Sequence, residues 1–232
     1  MVYGGAGSTD PERYRCALCG QRCGDLGLCP GCVADLPFQG PACRRCALPL
    51  PAGEVCGACL AAPPSHDEAV AIFSYAPPVD AMIQRLKFDG NLAYARTLGN
   101  LMAFELARRG MARTGALIPV PLHPSRLVAR RFNQAVELAR PVAARLSMPL
   151  DRMACARTRA TAEQSRLDAP ARRRNVRNAF AVLRPVDSAN VVLLDDVMTT
   201  GSTLDALART LKRAGARRVT VWVCARAAAA RR

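Results

Sequence analysis

Hydrophobic positions in the later two thirds of the chain switch between two periods. Ala116-Leu117-Ile118-Pro119-Val120, Val191-Val192-Leu193-Leu194 and Val219-Thr220-Val221-Trp222-Val223 are short apolar runs, the pattern of strands buried on both faces. Between them lie stripes with the spacing of one helical face. These are Val79, Met82, Ile83 and Leu86; Ala135, Leu138, Ala139 and Val142; and Leu204, Leu207, Ala208 and Leu211. Strands alternating with helices predict an α/β fold with a mainly parallel sheet covered by helices on both faces. Pro141 falls inside the second stripe, where a kink is expected. The stripes themselves are core packing.

Upstream the pattern fails. Residues 15–60 contain only ten large aliphatic or aromatic residues, too few for a core of their own. They hold nine of the eleven cysteines instead. Eight form CxxC pairs: Cys16 with Cys19, Cys29 with Cys32, Cys43 with Cys46, and Cys56 with Cys59. A CxxC turn points two thiolates at one ion, so two pairs make a tetrahedral zinc site and four pairs make two. Nine residues separate the pairs within each half, which favours sequential sites; cross-braced pairing stays open. Cys23 has no partner in this scheme. With every ligand a cysteine, no position is left for a catalytic water, so the zinc is structural. A disulfide scaffold would need an oxidising compartment. The first fifteen residues have neither the basic nor the apolar region of a secretory signal, so a cytoplasmic location is expected. The boundary is placed at Ala61-Ala62-Pro63-Pro64, giving a Cys-rich domain over 1–64 and an α/β domain over 65–232.

Charge sharpens this division. The net charge is +15, all of it in residues 66–232, because residues 1–65 carry five basic and five acidic side chains. Such a surface suits a polyanionic partner. Residues 152–177 hold eight arginines and two acids. They form a basic segment able to track a phosphate-rich partner such as a nucleic-acid backbone; a solvated loop is the plainer alternative. No apolar run reaches the roughly 18 residues of a membrane span.

One stretch carries chemistry. The run 191–194 continues into Asp195-Asp196-Val197-Met198-Thr199-Thr200-Gly201-Ser202-Thr203 and then a helix stripe. Ligands of open α/β sheets bind at the carboxyl ends of strands. Gly201 permits a tight turn. The hydroxyls of Thr199, Thr200, Ser202 and Thr203 join the helix-start amides in a cradle for a phosphate. Two adjacent carboxylates would repel that phosphate unless they accept hydrogen bonds from sugar hydroxyls. A ribose 5-phosphate group satisfies both halves. GxxxxGK[ST] and GxGxxG are both absent, so nucleotide-binding folds of those types lack their motif.

The segment VVLLDDVMTTGST resembles the phosphoribosyl-pyrophosphate (PRPP) motif of type I phosphoribosyltransferases. More narrowly, the chain resembles the competence-associated ComF family. The likeness runs from Cys16 to about Arg226. It takes in Leu86-Lys87-Phe88-Asp89-Gly90, Ile118-Pro119-Val120-Pro121-Leu122-His123, Arg130-Arg131-Phe132-Asn133-Gln134, Arg157-Thr158 with Gln164, and Arg174-Asn175-Val176-Arg177. Arg131 stands where the family has glycine, so a positive φ there would strain it. The resemblance implies a type I phosphoribosyltransferase fold behind a zinc-ribbon-like module, and Mg-PRPP as ligand. Asp195 and Asp196 would be the catalytic pair on the ribose, and Pro121 and Leu122 would approach the pyrophosphate. Lys87 would face the phosphates, and residues 157–177 would form a flap. His123 is read either as a ligand contact or as a turn cap, and His66 as a surface residue.

Two further readings come from other classes: a single-stranded nucleic-acid binder, with Arg157, Arg172, Arg173 and Arg174 on the backbone, and a PRPP-sensing regulator without turnover. Single-stranded DNA and competence or recombination proteins are the partners these imply.

Overall fold

The computed structural model describes residues 14–111, 115–159, 179–185 and 190–228. Four parallel strands form the central sheet: β3 (Glu68–Ser74), β4 (Ala116–Pro119), β7 (Asn190–Met198) and β8 (Arg218–Arg226), in the order β3-β8-β7-β4. Helices α3 (Val79–Asp89), α4 (Leu92–Arg108) and α6 (Gln134–Leu146) share one apolar cluster with Val192, Leu194 and Trp222. Helix α7 (Ser202–Arg213) packs with Val191, Leu193, Val221 and Val223 on the other face. The alternation along β7 therefore sends successive side chains to opposite layers. All three expected strands and all three stripes are present, and every stripe residue is buried.

Three differences stand out. Strand β7 runs on to Met198, so Asp195 and Asp196 lie inside the ladder, with Asp195 beside Val223 of β8, and the loop begins only at Thr199. Helix α6 continues through Pro141. The proline ring seats against α4, where a Cβ on Gly99 would fall 2.4 Å from Pro141 Cγ and 2.7 Å from the Leu138 carbonyl oxygen. Strand β3 and helix α4 carried no clear periodic signal. Residues 97–103 of α4 are buried all round, so no stripe distinguishes an inner face.

That close approach gives a prediction. Gly99→Ala should lower stability by about 2–3 kcal/mol, since neither a proline ring nor a helix carbonyl can step aside; the gain in helix propensity, about 1 kcal/mol, offsets only part of a larger clash. Urea unfolding checks it. Gly31→Ala, which meets open space, is the control. Equal midpoints for parent and Gly99→Ala would disprove the packing argument.

The cysteine-rich segment comprises β1 (Tyr14–Arg15) paired with β2 (Arg22–Cys23), α1 (Pro30–Ala34) and α2 (Gly57–Ala61). It straddles the β3 edge of the sheet. The backbone at Phe38 bridges to Phe73, with Gln39 N–H donating to the Ile72 carbonyl at 2.8 Å, which closes an otherwise open edge. The first half packs against α4: Cys16, Cys23, Leu28 and Leu36 join the main core, and Asn100 donates to the Asp25 carbonyl at 2.8 Å. Cys23, without a zinc role in the sequence reading, is thus a packing residue. The second half lies across β3 and β8, where Ala47 joins the opposite cluster. His66 is not a surface residue: it is 2% exposed and hydrogen-bonded through Nε2 to the Arg45 carbonyl at 2.7 Å. Burial lowers its pKa.

Candidate functional site: two cysteine centres and a cleft at the end of β7

The thiols assemble as two sequential groups, Cys16 with Cys19, Cys29 and Cys32, and Cys43 with Cys46, Cys56 and Cys59, each with its sulfurs within 4.8 Å of one another. That spacing fits tetrahedral zinc with Zn–S bonds of about 2.3 Å. The surroundings favour a thiolate at one cysteine of each group, while Cys19, Cys32, Cys46 and Cys59 are pushed up by burial and by the thiols beside them. Burial opposes ionisation of Cys16, but the amides of Cys19, Cys29 and Leu18 outweigh it and bring its pKa down to about 6. Cys43 behaves alike: burial opposes, the amides of Cys56, Arg45 and Cys46 prevail, and its pKa falls to about 6. The Cys56 N–H donates to Cys43 Sγ at 3.3 Å. By contrast, burial pushes the Cys155 thiol up to about 12 and raises Cys224 as well. Both stay neutral packing groups.

The second site is a cleft of about 400 Å³ at the carboxyl end of β7. Its floor is Asp195 to Met198. One wall is the turn Thr199-Thr200-Gly201-Ser202-Thr203, and the rest carries Lys87, Arg126, Arg130 and Arg157. Each position follows from local structure. Gly201 adopts φ 75°, the left-handed conformation glycine tolerates, and turns the chain into α7. Thr200 Oγ1 lies 2.8 Å from Ser202 Oγ, fixing the turn. Lys87 stands in the last turn of α3, one residue past the buried Leu86, and its ammonium pairs with Asp196. Helix α5 (Pro124–Arg130) supplies Arg126 and Arg130. His123 caps α5 by accepting from the Ser125 N–H at 3.2 Å, which favours the turn-cap reading. Arg131 ends α5 at φ 65°, the positive angle its place in the motif suggested.

The two acids are electrically unlike. Asp196 is 4% exposed. Burial opposes its charge, but Lys87 prevails, helped by Gln134, whose Nε2 donates to Oδ1 at 3.3 Å, and its pKa is lowered. Asp195 opens more toward the cleft. Burial first, and then the neighbouring Asp196 carboxylate, raise its pKa well above the ordinary range. The two carboxyls are close enough to titrate as a coupled pair. Burial also opposes the charge of Lys87, yet Asp196 outweighs it and raises the ammonium pKa.

The cleft gathers Asp195, Asp196, Lys87, Leu122 and all five turn residues, 199–203. Val120 and Leu122 line it, and Pro121 between them does not. Arg157 lies at the end of β5 (Cys155–Arg157), paired with β6 (Phe180–Val182). It is 6% exposed and over the Phe180 ring at 5.5 Å, so it belongs to the cleft wall. Arg172, Arg173 and Arg174 lie outside the described residues. Sequence reasoning missed Arg126 and gave Arg130 no role. The double arginine 130–131 beside Gln134 was the available signal. Arg130 Nη1 donates to Gln134 Oε1 at 3.2 Å, and Gln134 continues the chain to Asp196.

Known proteins match this arrangement. A double zinc ribbon domain profile matches residues 11–60 and a phosphoribosyl transferase domain profile matches residues 133–232. The "DNA utilization protein YhgH" of Escherichia coli O157:H7 is 39% identical over 208 residues, covering 88% of this chain and 92% of that protein. "Competence protein F" of Haemophilus influenzae is 36% identical over 211 residues, covering 87% and 91%. The orotate phosphoribosyltransferase of Aeropyrum pernix aligns at 22% identity over 61% of this chain and 63% of its own, with a TM-score of 0.36. With two zinc-ribbon-like sites before a phosphoribosyltransferase-type domain, and with such identity along nearly its whole length, the chain belongs to the ComF family.

Proposed function

We propose that the cleft binds Mg-PRPP, with the 5-phosphate on the 199–203 turn and the ribose hydroxyls on Asp195 and Asp196. One observation carries this reading: an acid pair and a hydroxyl-rich helix-start turn open into one cleft whose other walls hold four basic side chains. Phosphate fits the turn and its amides. The pyrophosphate faces Arg126, Arg130 and Arg157. Magnesium arriving with the ligand would spread the pyrophosphate charge, with Asp195 and Asp196 the acidic groups of the cleft able to hold it. If transfer follows, the C1–oxygen bond to pyrophosphate breaks as the bond to the acceptor forms. Positive charge then builds on the ribose beside the fixed carboxylates, which stabilise it. Eight cysteines grouped as two metal-ligating sets support a cytoplasmic reading, since thiols stay unoxidised there.

A second reading keeps a polynucleotide partner, on the strength of the relatives' names and the net charge of +15. Calorimetry with PRPP and magnesium, with a single-stranded oligonucleotide, and with both together separates the two. PRPP should bind, and more tightly as pH rises. Asp195 accepts hydroxyls more strongly once ionised, so affinity is weaker below the ordinary carboxylate range and grows as pH climbs through its raised pKa. No heat from PRPP at pH 8 would defeat the first reading. Oligonucleotide binding that PRPP does not displace would place the polynucleotide elsewhere.

A further inference from the structure

Strand β8 ends at Arg226, whose backbone pairs with Met198 at the end of β7. The side chain is 5% exposed. Its Nε donates to the carbonyl of Cys46 at 2.7 Å. Its Nη1 donates to the carbonyls of Met198 at 2.7 Å and Ala227 at 2.8 Å, and to that of Thr199. Cys46 is a ligand of the second cysteine centre. Met198 and Thr199 are the residues from which the 199–203 turn leaves the strand. One guanidinium thus grips both.

The hydrogen bonds of this buried cation go to carbonyls, with no carboxylate among them in the described residues. Burying a charge so is costly unless opposite charge lies near. Zinc held by four thiolates has a net charge of −2, and the Cys46 carbonyl that Arg226 grips belongs to one of those four ligands. The second centre is its counter-charge. The first centre lies at the α4 face and makes no such bridge among the described residues. Its neighbours are Tyr94 and Asn100.

We propose that Arg226 is a positioning residue that couples zinc at the Cys43, Cys46, Cys56 and Cys59 centre to the geometry of the 199–203 turn. The consequence for ligand binding rests on the reading that this turn holds the 5-phosphate. When the second zinc is lost, Arg226 loses both its counter-charge and the fixed Cys46 carbonyl, and its grip on Met198 and Thr199 fails. The turn then no longer holds its phosphate-binding shape. The cleft therefore works only with the second centre loaded, and loading of the first leaves the turn unaffected.

Arg226→Lys tests this. Lysine keeps the charge but lacks the planar fork needed to reach both sides. Arg109→Lys is the control, because Arg109 also ties the cysteine-rich segment to the sheet, through the carbonyls of Ala71 and Gln39, yet does not touch the turn. In Arg226→Lys, amide hydrogens of 199–203 should exchange at least about tenfold faster, the loss expected for a charged hydrogen bond. A chelator should strip the second zinc faster while the first is unchanged, and PRPP affinity should fall about tenfold. Arg109→Lys should show none of these changes. Stepwise zinc removal from the unaltered protein gives an arm that needs no variant: exchange at 199–203 should follow the opening of residues 43–59, not that of 16–32. Unchanged exchange in Arg226→Lys, an equal effect from Arg109→Lys, or turn exchange that follows the first centre would each overturn the coupling. If the parent fails to bind PRPP, the ligand assignment falls, and the exchange and zinc-release arms still decide on the coupling.

Discussion

Stripping both zinc ions should unfold the cysteine-rich segment and take the β3 edge of the sheet with it. A four-cysteine site contributes roughly 10–16 kcal/mol of apparent binding free energy, against roughly 5–15 kcal/mol for the net stability of a whole domain. Nothing else in residues 15–60 can make up that difference. Cys16, Cys23, Leu28 and Leu36 reach the core only as guests of α4. Elemental analysis should find two zinc ions per chain. Serine at any of Cys16, Cys19, Cys29, Cys32, Cys43, Cys46, Cys56 or Cys59 should lose one of them. Alanine at Cys23, Cys155 or Cys224 should keep both, because these thiols are buried among apolar neighbours rather than in the clusters. Protein purified without chelator that carries no zinc, or disulfides among the pairs in fresh lysate, would contradict the assignment. Loss should also set in on acidification, since protons compete for the thiolates.

Asp195→Asn and Asp196→Asn should move stability in opposite directions while both weaken PRPP binding. Asp196 is the partner of the mostly buried Lys87. Its replacement leaves an ammonium without its carboxylate, a change that costs roughly 3–5 kcal/mol when both groups are fully buried and less here, because Lys87 keeps some solvent. Asp195 is the reverse case. Its folded pKa lies above its unfolded one, so the stability of its neutral form is complete below about pH 4 and is lost as pH rises through the folded value. Asparagine, neutral throughout, should therefore stabilise the ligand-free protein at pH 8 and make no difference at pH 3.5. Each variant removes a charged acceptor from the ribose. At about 1.5–3 kcal/mol per charged hydrogen bond, affinity should drop more than tenfold in each. Thermal unfolding at the two pH values and calorimetry read both effects. Equal stability changes for the two variants would refute the electrical distinction. Unaltered titration with PRPP in both would move the ligand out of this cleft.

The stabilising change and the loss of binding share one cause. On the proposed function, a cleft that receives a cation-bearing ligand would hold its carboxylates close together while empty. That repulsion is part of its readiness to bind, which is why strain collects at functional sites and not in the core.

Much of this protein is written locally. CxxC pairs need only a turn to aim two sulfurs at one ion, so the ligands and their sequential grouping could be read from spacing. The three apolar runs and three stripes were legible because each buries a regular set of positions. The 199–203 turn could be read because glycine and hydroxyl residues fall together beside a strand end. Other features depend on what the folded chain brings near. Helix α4 is enclosed on all sides, so its burial follows no period. Gly99 is needed only because Pro141 lies against it. The contrast between Asp195 and Asp196 comes from Lys87 and Gln134, which stand far away in sequence. Arg226 meets Cys46 across 180 positions. Short-range pattern specifies elements and ligand sets, since the groups that matter are neighbours along the chain. Charge state, close packing and the Arg226 link from Cys46 to the 199–203 turn arise from contacts between distant segments, and only the tertiary structure decides which of those contacts exist.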